Sequence, residues 1–270
     1  MASTNRGFRT KYGEWALVTG ASAGIGLAFA KALAHDEKMS IVLTARREDR
    51  LLKLADEFKR EHGVETRVVA ADLADPGGAI RLADAVADLP IAMLVNNAGF
   101  GYAGRFDKLE TERLAKMVIV NCLAPVVLTS KILPGMVKRG RGAVIVVGSV
   151  AGRQPLPLHA VYSATKGFDL LFGEGLWGEL RGTGVDAIVL EPGATKTEFQ
   201  EVAGEVVGDN HGEPPENVVR VTFDALGKRP SVVSGWGNYI LANATRLVPR
   251  STAARIAKRV VQGNTRPELR

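Results

Sequence analysis

Two rhythms of apolar and polar residues alternate along the chain. Short, nearly continuous apolar runs fall at Glu14–Gly20, Ser40–Thr44, Thr66–Ala71, Ile91–Val95, Ala143–Gly148 and Val185–Leu190, with a briefer one at Ser231–Ser234. Runs of this length without strict alternation are the pattern of strands buried on both faces. Between them, apolar residues recur at helical spacing: Leu51, Leu54, Ala55 and Phe58 share one face of Arg47–His62. The same step predicts helices over Leu27–Ala34, Asp75–Asp88, Glu110–Val120, Ala124–Lys138, from Tyr162 to about Arg181, and Asn217–Leu226. Trp236–Val261 reads as two helices broken at Pro249, because proline cannot continue the helical ladder.

Strand and helix alternate with no repeat and no polar linker. That order predicts one α/β domain over residues 1–270, a doubly wound parallel sheet with helices on both faces. Glu198–Pro215 breaks the rhythm. Phe199, Val202, Val206 and Val207 give it an apolar side, and Gly204, Gly208 and Gly212 leave it few packing contacts, as in a mobile lid over a pocket. The tail at 236–262 sets Trp236, Tyr239, Leu241 and Leu247 among basic residues, either as a further wall of that pocket or as a surface for lipid.

Composition narrows the function. A chain of 270 residues, 46% hydrophobic, can fill one large core. Its single cysteine, Cys122, excludes an internal disulfide and reads as a small buried side chain in a reducing compartment. The net charge of +6 invites an anionic partner. No zinc-finger spacing, aromatic–basic ladder or dense basic block points to nucleic acid, and a polyanionic cofactor would use the charge. Met1–Gly13 lacks the apolar core of a targeting signal. The longest apolar run, Met117–Leu128, is short for a membrane span and is interrupted by Asn121 and Pro125. The expectation is a soluble, cytoplasmic protein without membrane contact. His35, His62 and His211 lie in polar surroundings without ligand spacing, so no metal site is expected.

The candidate chemistry lies where strands end. Gly20, Ser22, Gly24, Ile25 and Gly26 form a glycine-rich turn between the first strand and its helix. Such a turn lets backbone approach a pyrophosphate at the helix amino end. About 20 residues on, where a carboxylate would hold the ribose of NAD, stand Ala45, Arg46 and Arg47. A guanidinium there suits a 2′-phosphate, so NADP(H) is the expected cofactor. Asp72 after the third strand is placed either to accept from an adenine amino group or to cap a helix. Ser149 ends the fifth strand, and Tyr162 and Lys166 are four apart, on one helical face. An ammonium beside a phenol favours phenolate, so these three make a carbonyl-reducing or alcohol-oxidising site. Asn121 sits at a helix junction, where it either holds a water or satisfies the break. His159, one turn before Tyr162, reads as a specificity or packing residue.

In type and order this set resembles the short-chain dehydrogenase/reductase family. Thr19-Gly-Ala-Ser-Ala-Gly-Ile-Gly26 matches its cofactor turn, Asn96-Asn97-Ala98-Gly99 the motif ending its fourth strand, and Pro192-Gly193-x-x-x-Thr197 its nicotinamide-side motif, within which Thr195 is a further candidate cofactor contact. Asn121, Ser149, Tyr162 and Lys166 match its catalytic tetrad. The resemblance implies a Rossmann-type sheet of seven strands in order 3-2-1-4-5-6-7, with the cofactor across the strand ends, also touching Asp72 and Leu73. It implies that Tyr162 is the acid or base, that Lys166 depresses its pKa and binds the nicotinamide ribose, and that Ser149 donates to the substrate oxygen. Asn121 would hold a water linking Lys166 to solvent.

The expected function is NADPH-dependent reduction of a ketone or 3-oxo group on a fairly apolar small molecule, or the reverse oxidation. Alternatives are an NAD(P)+-dependent secondary-alcohol dehydrogenase and, in another class, a non-catalytic NADPH-binding sensor or scaffold. The family resemblance implies a homodimer or homotetramer, and apolar residues on more than one face of Ala124–Lys138 and Val161–Arg181, including Leu170, Leu171, Phe172 and Trp177, suit such an interface.

Overall fold

A computed structural model describes residues 6–206, 212–244 and 248–270, apart from the side chain of Leu241. After a short helix α1 (Phe8–Lys11), strands and helices alternate. β1 (Trp15–Thr19) leads to α2 (Gly24–His35), β2 (Ser40–Ala45) to α3 (Glu48–His62), and β3 (Thr66–Ala70) to α4 (Gly78–Ala85). β4 (Ile91–Asn96) is followed by α5 (Thr111–Val118), a π-helical turn (Ile119–Leu123) and α6 (Ala124–Arg139). β5 (Gly142–Val147), a 3-10 turn (Val150–Arg153) and α7 (Ala160–Glu179) come next. β6 (Val185–Glu191) is followed by α8 (Phe199–Ala203) and α9 (Pro215–Ala225), and β7 (Ser231–Val233) by α10 (Trp236–Ala244) and α11 (Arg250–Gln262).

All seven strands are parallel in the order β3-β2-β1-β4-β5-β6-β7. The pleat divides each strand between two cores, which is why no alternation shows in the sequence. Ala16 and Val18 face Phe29, Leu33 and Phe58 of α2 and α3, with Phe223 of α9. Trp15 and Leu17 face the other layer, with Leu82 of α4 and Leu128 and Met136 of α6. The chain reverses direction across the sheet between β1 and β4, and ligands of such sheets bind outside the carboxyl ends at that point.

Two expectations need correction here. Asn121 and Pro125, which interrupt the apolar run in the sequence, do not separate two helices: Thr111–Arg139 is one continuous helix of 29 residues with a mean hydropathy of 1.7 in its most apolar window. By length and composition alone it could cross a membrane, yet 44% of that window is buried and α6 packs on α4, β4 and β5. Pro125 fits because the wider π turn shifts the hydrogen-bond register where its ring would strike the preceding carbonyl. α4 is also shorter than its apolar pattern, because Asp72 accepts from the backbone of Ala74 and Asp75 from that of Gly77, which keeps this stretch in turns.

Candidate active site

The carboxyl ends of the strands surround one cleft of about 520 Å³. From β1 and the start of α2 it receives Gly20, Ser22, Gly24 and Ile25, and from β2 Ala45, Arg46 and Arg47. Asp72 and Leu73 enter after β3, and Asn97, Ala98 and Gly99 after β4. Ser149, Tyr162 and Lys166 form the next wall, and Pro192, Gly193, Thr195 and Thr197 the one after β6. Gly26 and Asn121 do not line it.

Gly26 acts from behind. A Cβ there would lie 2.3 Å from the Gly20 carbonyl and 2.4 Å from the Asn97 amide, so only glycine lets α2 approach β1 this closely. Gly20 has φ +69°, a left-handed conformation that suits glycine. Thr19 ties this turn to the next strand end: its hydroxyl donates to Val95 O and accepts from Asn97 N and Ala98 N, the latter two at 2.9 Å. The result is a cradle in which a side chain would collide, as a dinucleotide passing over a helix amino end requires.

Asn121 is buried in the π turn. Its Nδ2 donates to Phe100 O at 3.1 Å and Thr165 Oγ1 at 3.0 Å, and its Oδ1 accepts from Phe100 N at 3.1 Å. These bonds fix the loop after β4 against α7. The π turn itself leaves no pattern in the apolar spacing, so the sequence showed the residue without the geometry.

Tyr162 and Lys166 are both buried on one face of α7. The Lys166 ammonium donates to Val147 O at 2.7 Å and to Asp169 Oδ2 at 2.9 Å. Burial would lower its pKa, but the Asp169 carboxylate and the Tyr162 phenol carry it above the ordinary value. Burial pushes the Tyr162 phenol up, and the Lys166 charge and Ser149 hydroxyl offset this only in part. The expected depression of the phenol is therefore not the net effect in this structure. Asp169, which spacing alone did not single out, is the added negative charge. Ser149 caps the 3-10 turn by accepting from Ala151 N at 3.2 Å, which fixes its hydroxyl at the strand end.

At the other end of the cleft, Arg47 is committed to protein partners. Its Nη2 donates to Ser22 Oγ at 3.1 Å and its Nη1 to Glu198 Oε2 at 2.7 Å, while Arg50 takes the other Glu198 oxygen at 2.8 Å. Arg46 is exposed and forms no ion pair among the described residues, which leaves its guanidinium available to a phosphate. The lining, the cradle and this basic corner fit an NADP(H)-sized anion.

Phe100, Phe199, Val202 and Glu205 also line the cleft. The Phe199 ring packs 5.3 Å from that of Tyr162. The start of the expected lid is more ordered than its aperiodic sequence implied. α8 buries Ala203 completely, Glu205 bridges to Thr265, and Thr195 bridges to Glu213. Val207, Gly208 and His211 lie outside the described residues, as do Leu247 and the Leu241 side chain. Trp236 and Tyr239 stack on each other at the surface and do not line the cleft. His159 is buried with its ring 6.3 Å from that of Tyr162 and its Nε2 3.6 Å from Glu205, too far for a hydrogen bond. Burial lowers the imidazole pKa and raises that of the Glu205 carboxyl.

A family model described as short chain dehydrogenase matches residues 14–206. The chain is similar to very-long-chain 3-oxoacyl-CoA reductase of Homo sapiens, 31% identical over 263 residues that cover 92% of this chain and 83% of that protein. It is also similar to a solved structure of 7beta-hydroxysteroid dehydrogenase, with a TM-score of 0.86, 32% identity and coverage of 93% of this chain and 99% of that one. A short-chain dehydrogenase from Sphingobium yanoikuyae in complex with NADPH gives a TM-score of 0.77 at 29% identity, covering 87% and 93%.

Proposed function

The chain belongs to the short-chain dehydrogenase/reductase family, and on that premise we propose that it is an NADP(H)-dependent oxidoreductase that reduces a ketone or 3-oxo group on a largely apolar substrate, and oxidises the matching alcohol in reverse. The observation that carries this reading is the buried Tyr162–Lys166 pair beside Ser149 in the same cleft as the cofactor cradle. When bound, the cofactor supplies the hydride in reduction and takes it in oxidation.

The residues of the chain handle the proton and the position. Ser149 donates to the carbonyl oxygen as charge develops there. Tyr162 gives that oxygen its proton, and in the reverse direction its phenolate receives one. Lys166 holds a positive charge next to the phenol and is placed to bind the nicotinamide ribose. Asn121 secures the loop after β4, so Gly99 and Phe100 keep their place along the cleft. Phe100, Phe199 and Val202 make an apolar wall that excludes water and suits a steroid or a 3-oxoacyl chain, the compounds named for the relatives.

A panel of aldehydes, bulky ketones, steroids and 3-oxoacyl thioesters, followed by NADPH absorbance, tests this reading. Turnover of at least one bulky apolar ketone or 3-oxo compound is expected. Tight NADPH binding with no turnover across the panel would instead support a cofactor-binding sensor.

A further inference from the structure

Asp169 is the titratable group in direct contact with Lys166 that the mechanism above leaves unused. It is 1% exposed, one helical turn beyond Lys166, and its Oδ2 accepts from the ammonium at 2.9 Å. Its Oδ1 is buried with no hydrogen-bond partner among the described residues. A carboxylate held in this way is costly, so its presence calls for a reason within the site. Three protons radiate from a lysine ammonium. Val147 O and Asp169 take two of them, which fixes the nitrogen and leaves one for the side of Tyr162 and the cofactor.

We propose that Asp169 is a positioning residue for Lys166 that also offsets its charge, keeping Tyr162 protonated in the form that serves carbonyl reduction. The proposal rests on the function assigned above to Tyr162. An ammonium paired with a carboxylate presents little net charge to a third group, whereas an unpaired one stabilises phenolate. Other titratable groups supply less of this balance than Asp169 does. On the π turn, the Cys122 thiol is pushed up to about 11 by burial and stays neutral at working pH. His159 and Glu205 face Tyr162 from the substrate side, with burial favouring the neutral form of each. Burial also raises the Asp169 carboxyl, but there the Lys166 charge and hydrogen bond oppose it. Arg153 and Glu191, from the 3-10 turn and β6 packed on α7, form their own ion pair.

Replacing Asp169 by Asn keeps an acceptor for Lys166 and removes the charge. The first readout needs no substrate: an ultraviolet tyrosinate titration, with the Tyr162→Phe trace subtracted to remove Tyr12, Tyr102 and Tyr239. The Asp169→Asn variant is expected to ionise Tyr162 about one pH unit lower than the unmodified protein, and Asp169→Glu close to it. The second readout is the pH–rate profile with a panel ketone and NADPH, and with its alcohol and NADP+. In Asp169→Asn both limbs should move down by the same amount: reduction fails and oxidation begins at lower pH, with the overall equilibrium constant unchanged. If Asp169→Asn does not fold, Asp169→Ser carries the same expectation. A folded variant whose Tyr162 ionisation and pH limbs stay in place, or move upward, would overturn the proposal. Loss of thermal stability alone would do the same, leaving Asp169 a packing residue. Failure of the functional reading looks different, since the unmodified protein would then turn over no ketone, or Tyr162→Phe would remain active.

Discussion

At the scale of single residues, the cofactor corner shows how a motif and its geometry differ. The sequence placed two arginines after β2 without dividing their work. The structure divides it: Arg47 is bound to Ser22 and Glu198, while Arg46 stays exposed at the cleft. NADPH is therefore expected to bind at least about tenfold more tightly than NADH, roughly 1.4 kcal/mol. Arg46→Ala should erase most of that margin and leave NADH affinity within about twofold, as fluorescence titration would show. Equal affinities in the unmodified protein would contradict it. The catalytic residue types were also legible, because a family motif is a list of residues. Asp169 was not, because burial and a 2.9 Å contact with Lys166 are facts of packing.

At the scale of elements, most strands and helices followed from apolar run length and period, since a parallel sheet buries nearly whole strands. What escaped were features made by hydrogen-bond register or by tertiary contact. The π turn at Ile119–Leu123 is one, and α8 is another. Glu198–Pro215 looked loose because its own sequence holds few apolar residues in period. Its described part is held by outside partners, with Ala203 buried and Glu198 bridging to Arg47 and Arg50 across the cleft mouth. These pairs are about half exposed, so solvent and salt screen them and each is weak. Glu198→Gln should raise the NADPH release rate in stopped flow by about two- to fivefold, the range of such exposed pairs. High salt should abolish the difference between variant and unmodified protein, as screening predicts. A salt-independent difference would mean that Glu198 acts through shape.

At the scale of the whole molecule, the parallel sheet covered on both faces was legible in the strand–helix alternation, whereas its order β3-β2-β1-β4-β5-β6-β7 and the cofactor's place across the strand ends were implied by the family resemblance. Surface burial could not be read the same way. Of the four apolar residues expected to mark an interface on α7, Leu170 is buried, and Phe172 and Trp177 pack partly into the core. Leu171 is 74% exposed, joined by Phe168 on the same helix and by Leu123 on the π turn that packs against it. We propose a homodimer or homotetramer through this reduced patch; light scattering at micromolar concentration should show an assembly, and Leu171→Glu should shift it to monomer. A monomeric unmodified protein would remove the proposal. The most direct test of the function is transfer of deuterium from nicotinamide-labelled NADPH to a bulky ketone, comparing the unmodified enzyme with Tyr162→Phe. The account predicts deuterium on the carbinol carbon with the unmodified enzyme and a rate lower by at least about a hundredfold in the variant, with NADPH binding preserved. Near-normal transfer by Tyr162→Phe, or none by the unmodified enzyme on any ketone, would contradict it.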